Sequence, residues 1–264
     1  MENGLIFPCS FINKMNNFFN INYEMDHAKV HSAIERVVSQ GRADYICVAD
    51  GVILNTANRD PEYLKVVNGG MFSICDSSYV PLYLRWIYGV RYRQYCGAEI
   101  FKDIVSSRKY RMMFMGTSEA TLAGLKNTIK YWNPDVQTMT FYELPFCTVD
   151  EFDYSDIAQR VEAARADIIW IALGAPKQEI FMSRLKPFLK HGVMIAVGAA
   201  FKFYSGLEEK RAPQWMIRLH MEFLFRIACD PKKQLKRCAW IVITLPGLLY
   251  EEWRKKRMKI RIKR

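Results

Sequence analysis

Two stretches of this chain each place an apolar, β-prone run directly before a glycine turn: Ile168 to Gln178 (IIWIALGAPKQ) and Val193 to Pro213 (VMIAVGAAFKFYSGLEEKRAP). A buried strand that stops at Gly174 or Gly198 can turn tightly into a helix. The first N–H groups of that helix lack intrahelical acceptors, and its dipole presents a positive end that suits a phosphate. The two turns carry Lys177, Gln178, Glu179 and Lys202, so polar side chains crowd the carboxyl edge of one sheet, where open sheets of this kind bind ligands. Nucleotide chemistry is the first expectation.

The rest of the body repeats the alternation. Strands are expected over Asp44–Ala49, Met71–Asp76, Arg111–Gly116, Val136–Tyr142, Ile168–Leu173 and Val193–Ala199, short runs rich in β-branched, aromatic or Met residues. Helices are expected over Pro61–Val67, Tyr79–Tyr88, Ala98–Ser106, Glu119–Trp132, Ser155–Arg165 and Gln178–Leu189. A covering helix, His27–Ser39, precedes them with Val30, Ile34 and Val37 at helical spacing. Strand and helix in turn predict an α/β fold, a mostly parallel sheet with helices on both faces. With 264 residues, half of them hydrophobic, the chain can bury one sizeable domain plus an appendage.

Charge divides the chain at Arg211. From there to the C-terminus there are 15 Lys/Arg against 4 Asp/Glu, a surplus of 11 that equals the whole-chain net charge, so residues 1–210 are formally neutral. A neutral body with a basic, aromatic-rich tail points to a local surface for phosphates or anionic lipid rather than to nucleic acid. Pro213 is placed to open a helix with Trp215, Leu219, Phe223 and Ile227 on one face. PKKQLKR and EEWRKKRMKIRIKR flank Trp240, Leu248, Leu249 and Trp253 in a second segment. Together they read as a helix pair in the membrane interface, giving a body over 1–212 and an appendage over 213–264. The longest apolar run there, Cys238–Tyr250, has 13 residues where a span needs about 20, and Pro246-Gly247 interrupts it. No secretory signal is visible in the first residues.

The seven cysteines include no CxxC pair and are odd in number, which fits a reducing compartment; Cys47 and Cys75 read as buried, inert thiols. His27 and His31 are four apart, as metal ligands on one helix face would be, but Ala28 stands where HExxH has its glutamate and no third ligand is identifiable. They read as surface residues, and neither a metal nor a cofactor is expected.

The order Asp60-Pro61-Glu62, Asp76, Gly97, GAPKQE (174–179), GAAFKFYSG (198–206), RAP (211–213) with a following Trp, then EFLFRIACDPKK, resembles the WecG/TagA/CpsF family of bacterial glycosyltransferases from about Asp44 to Arg237. The resemblance implies a Rossmann-like domain with a C-terminal membrane-docking appendage and no metal requirement. It implies transfer of a sugar from a nucleotide donor, usually UDP-linked, to a polyprenyl-diphosphate-linked sugar, with inversion, at the cytoplasmic membrane face in surface-polysaccharide synthesis. Asp76 matches the family's aspartate at a strand end, the base for the acceptor hydroxyl; single displacement needs a carboxylate within reach of the incoming oxygen. Asp76 also suits the cap of the helix from Tyr79.

Gln178 matches a donor-contacting glutamine, and Asp50, Gln94, Gly198, Phe201 and Lys202 fall at the resembling donor site. Lys177 and Glu179 also read as solvated first-turn residues. Arg211, Arg218 and Arg226 are placed to hold diphosphate or lipid acceptor, since without a metal cationic side chains and helix N-termini stabilise the leaving group. The chain departs from the family pattern at Val48-Ala49-Asp50 (usually Thr-x-Asn), at Lys202 (usually Asp) and at Gln94 (usually Arg, with Arg93 beside it). The sign exchange suggests an Asp50–Lys202 salt bridge across the cleft.

A dinucleotide-dependent oxidoreductase is a poor rival, with neither GxGxxG after the first strand nor GxxxxGK[ST] anywhere. A catalytically degenerate member or a membrane-surface binding module is the alternative. A homo-oligomer is compatible with the sequence.

Overall fold

The computed structural model describes residues 17–207, 212–213, 215–216 and 221–262, without the side chains of residues 222, 223, 226, 233 and 259–262. Its strands are β1 (Asn17–Phe18), β2 (Ile21–Asn22), β3 (Ala43–Ala49), β4 (Phe72–Cys75), β5 (Met112–Gly116), β6 (Thr140–Tyr142), β7 (Ile168–Ala172) and β8 (Gly192–Ala196). The helices of the body are α1 (His27–Ser39), α2 (Gly51–Ala57), α3 (Pro61–Asn68), α4 (Val80–Tyr88), α5 (Gly97–Ser107), α6 (Glu119–Ile129), α7 (Tyr154–Ala164), α8 (Lys177–Leu185) and α9 (Ala200–Ser205). Two more, α10 (Glu222–Cys229) and α11 (Pro231–Ile262), lie in the basic tail.

Strands β3 to β8 make one sheet in the order β4-β3-β8-β7-β5-β6, parallel at every pairing. Every residue of β4, β5, β7 and β8 is buried, as a parallel sheet covered on both faces requires. Alternation along β7 sends Ile169 and Ile171 into a core with α2, α3, α4, α7 and α8. Ile168 and Trp170 go to the opposite core, with α1, α5, α6 and α9. The fold is the expected α/β architecture.

Local chemistry sets the ends of these elements. Asp26 caps α1 by accepting from the Ala28 and Lys29 N–H groups, and the helix buries Val30, Ile34 and Val37. Asp60 caps α3 with Pro61 at its first turn. Pro187 ends the expected Gln178–Leu189 helix early: α8 stops at Leu185 and a 3₁₀ turn over Lys186–Phe188 follows. Helix α6 likewise stops at Ile129, short of Trp132. Of the expected strand Val136–Tyr142 only Thr140–Tyr142 forms, because Asn133 caps a 3₁₀ turn over Pro134–Thr138.

The histidine pair is half-buried rather than on the surface. The His27 ring stacks on Tyr95 at 3.9 Å, and His31 Nε2 lies 2.8 Å from the Tyr95 hydroxyl, which donates to Asp103 at 2.8 Å. Burial lowers the pKa of His31, against the pull of Asp103. Cys47 and Cys75 are buried free thiols, as read.

The expected continuous helix through Pro213 and Ile227 is interrupted at Met221, which is not helical, and α10 begins after it. Helix α11 lies against the body. Leu248 and Leu249 pack on the core of α2 and α4, and Thr244 hydrogen-bonds Asn55. Glu252, 1 % exposed, accepts from the Phe19 N–H at 2.8 Å and the Tyr88 hydroxyl at 2.7 Å. No helix among the described residues is long and apolar enough to cross a membrane.

Candidate active site

Neighbouring strands β3 and β8 send the chain to opposite faces, β3 into α2 and β8 into α9. A crevice therefore opens at their carboxyl ends, the place where ligands enter sheets of this type. Glycines with positive φ shape its rim: Gly174 at +77° after β7 and Gly198 at +50° after β8.

Asp76 follows β4 at this edge. Its N–H donates to Ala49 O at 3.0 Å, and its Oδ1 accepts from the Gly97 N–H at 2.8 Å. The carboxylate thus meets the N-terminus of α5, while at the start of α4 the Tyr79 N–H donates to Ser77 Oγ at 3.3 Å. A Cβ on Gly97 would lie 3.3 Å from Val48 Cγ1 and 3.4 Å from Val197 O, so glycine allows α5 to approach β3 and β8. A Cβ on Gly198 would lie 3.7 Å from Gln178 Oε1. Asp76, Gly97, Gly198 and Gln178 therefore follow one another along one crevice. Gln94 Nε2 donates to the backbone carbonyl of Asp76, while Arg93 pairs with Glu99 at 2.8 Å.

The GAPKQE turn divides its polar groups between surface and interior. Lys177 donates to Cys147 O and lies 5.0 Å from the Phe152 ring centre. Gln178 and Glu179 are buried, which corrects the reading of Glu179 as solvated. The Gly174 N–H donates to Gln178 Oε1 at 3.1 Å, Gln178 Nε2 donates to Glu179 Oε1 at 2.9 Å, and the Tyr63 hydroxyl donates to Glu179 Oε2 at 3.1 Å. Burial is the main cause that pushes the Glu179 carboxyl up to about 7, and these hydrogen bonds oppose it.

Asp50 caps α2, accepting from the Val52 and Ile53 N–H groups at 2.8 and 2.9 Å. It forms an ion pair with Arg237 of α11, a partner that the sequence reading did not name. Lys202 sits half-buried on α9. Phe201 is fully buried, 5.7 Å from the Phe101 ring centre, so it supports the Gly198 turn from beneath. Arg211 and Arg218 lie outside the described residues, as does the side chain of Arg226.

Sequence reasoning missed Tyr63 and Arg237, and it missed the burial of Glu179. The signal for Arg237 was the basic PKKQLKR cluster, which carried no hint of its partner 187 residues away.

The family model for "Glycosyl transferase WecG/TagA/CpsF family" matches residues 17–261. Among curated relatives, the N-acetylglucosaminyldiphosphoundecaprenol N-acetyl-beta-D-mannosaminyltransferase of Bacillus subtilis (strain 168) is 26% identical over 76% of this chain and 81% of its own length. The protein of the same name from Bacillus spizizenii (strain ATCC 23059 / NRRL B-14472 / W23) is 24% identical over 74% of this chain and 75% of its own. A match that extends from the β1–β2 hairpin almost to the end of α11 covers both the crevice and the helix packed on α2 and α4. The chain belongs to the WecG/TagA/CpsF family of glycosyltransferases.

Proposed function

We propose that this protein transfers an N-acetylhexosamine, N-acetylmannosamine in the first instance, from a UDP donor to N-acetylglucosamine on a polyprenyl diphosphate, with inversion. The sugar and acceptor come from the names of the two relatives. The observation that carries the reading is Asp76, a carboxylate at a strand tip that shares one crevice with Gly198 and Gln178.

In this mechanism the Asp76 carboxylate takes the proton of the acceptor hydroxyl as its oxygen attacks the anomeric carbon and the nucleoside diphosphate departs. The Gly97 N–H holds one carboxylate oxygen, and Gln94 steadies the backbone of the same residue. Charge on the departing diphosphate is met by the backbone N–H groups at the start of α8 and by the arginines Arg211, Arg218 and Arg226. Asp50, Gln178, Gly198 and Lys202 contact the donor, and Phe201 braces the turn beneath it. No metal or cofactor enters the proposal.

The tail from residue 213 serves as the membrane-docking part, bringing the crevice to the lipid acceptor at the cytoplasmic face. Support comes from its charge surplus and from apolar side chains that α11 leaves exposed, Val242 at 66% and Ile243 at 75% among them.

The test incubates purified protein in detergent with a panel of UDP-sugars and a short-chain polyprenyl-diphosphate N-acetylglucosamine, and reads lipid products by mass spectrometry. A product heavier by one N-acetylhexosamine supports the reading. Absence of product across the panel overturns it in favour of a catalytically degenerate, membrane-binding member.

A further inference from the structure

The Asp76 mechanism makes no use of Glu179, although a buried carboxylate is costly unless something compensates it. Its partners are neutral: the Gln178 amide on one oxygen and the Tyr63 hydroxyl on the other. The other titratable groups that bear on it are Cys47 of β3 and Asp50 at the start of α2; neither supplies a positive charge. Replaced by an apolar residue, the same site would pack without this penalty.

Gln178 shows what the carboxylate does. A glutamine amide can be flipped end for end, exchanging donor and acceptor. Here the flip is locked from both sides, since the Gly174 N–H needs the oxygen and Glu179 needs the NH₂ group. Gln178 lies beneath Gly198, whose missing Cβ leaves the amide close to the crevice.

We propose that Glu179 is a positioning residue: with Tyr63 holding its second oxygen, it fixes the orientation of the Gln178 amide at the crevice and so determines how that amide meets the donor. The part concerning the donor rests on the glycosyltransferase reading; the orientation of Gln178 does not. Ionised, Glu179 accepts charge-assisted hydrogen bonds from both neighbours. Once protonated it donates to the Tyr63 oxygen and accepts from Gln178 without the help of its charge, so its grip on Gln178 weakens.

The change falls near pH 7, where burial has moved the carboxyl. In Glu179→Gln the neutral side chain can keep the hydrogen bonds by reversing the Tyr63 hydroxyl, so this variant stands for the low-pH protein at every pH. Glu179→Leu removes the acceptor altogether.

The experiment follows the Gln178 side-chain amide by ¹⁵N NMR in the full chain from pH 5.5 to 8.5, its signals assigned by their loss in Gln178→Leu. In parallel the donor KM and kcat are measured with UDP-N-acetylmannosamine and the lipid-linked N-acetylglucosamine acceptor. The wild-type amide is expected to titrate near pH 7, with donor KM lower above the midpoint. Glu179→Gln is expected to lose the titration and to keep the low-pH KM throughout. Tyr63→Phe should raise the midpoint, because the carboxylate loses a donor. Glu179→Leu, checked by thermal unfolding, should lower kcat/KM about tenfold to a hundredfold.

A Gln178 amide that ignores both pH and the Glu179→Gln substitution would overturn the proposal whatever the activity. If the wild type makes no glycolipid, the proposed reaction fails, and the NMR titration still decides whether Glu179 orients Gln178.

Discussion

At the scale of single residues, the same carboxylate can be a base, a cap or a buried cost, and its neighbours decide which. Asp76 accepts an N–H from Gly97, a bond that asparagine can also accept through its amide oxygen. Asp76→Asn should therefore fold normally and bind UDP as the wild type does, while its turnover falls about 10²- to 10⁴-fold, the usual worth of a general base. Unfolding curves, UDP titration calorimetry and glycolipid assays read these three quantities separately. Glu179 makes the opposite kind of prediction. Its folded-state pKa lies above the ordinary 4.5, at about 7, so the folded protein holds this proton more tightly than the unfolded chain. Stability tied to the group is complete below about pH 4.5 and is lost as pH rises through 7, a difference of about 3 kcal/mol. Glu179→Gln should be more stable than wild type at pH 8 by up to about that amount, and the gap should close toward pH 4.5. Urea unfolding at several pH values checks it.

At the scale of elements, α11 is held by side chains that also serve the body. Phe19 and Asn20, at φ 50° and 63°, turn the β1–β2 hairpin tightly enough to aim the Phe19 N–H at Glu252. Glu252→Ala leaves that buried donor without its acceptor, at a cost of about 1–3 kcal/mol. Hydrogen exchange at the Phe19 amide should accelerate in the variant, and unchanged protection would show that the helix is held elsewhere. The strands were legible because buried parallel strands read as unbroken apolar runs closed by glycine, as β7 and β8 do. Helix α2 was not legible: seven residues that include Gly51, Val52, Ile53 and Thr56 have weak propensity, and the Asp50 cap supplies what composition does not. Asp76 was found at its strand tip and Gly97 entered with the family resemblance, but their contact was not legible, because Gly97 lies on a helix 21 residues further on. Glu179 was misread as solvated because a charged residue in the first turn of a helix ordinarily is solvated. The Asp50–Arg237 pair was invisible for a related reason, since only the folded path of α11 brings the two charges together.

At the scale of the whole molecule, charge and hydrophobicity are segregated along α11. Ile241, Leu248, Leu249 and Glu252 face the body, whereas Val242, Ile243 and Tyr250 remain exposed in a stretch flanked by basic clusters at 232–237 and 254–257. Cutting the chain after Pro213 would therefore strip packing from α2 and α4 as well as any docking surface. The cleaner test is Val242→Glu combined with Ile243→Glu, which should lower affinity for anionic vesicles at least about tenfold, given the usual worth of two buried aliphatic side chains. Thermal unfolding should stay close to wild type; vesicle binding that survives the pair of substitutions would move the docking surface away from this face. The proposed reaction depends on a carboxylate base set in a crevice that receives lipid-linked sugar. The most direct measurement is single-turnover glycolipid formation by wild type and Asp76→Asn, at saturating UDP-N-acetylmannosamine and polyprenyl-diphosphate N-acetylglucosamine, followed by mass spectrometry. Wild type should form product rapidly and the variant at a rate lower by about 10² or more; equal rates would rule out Asp76 as the base.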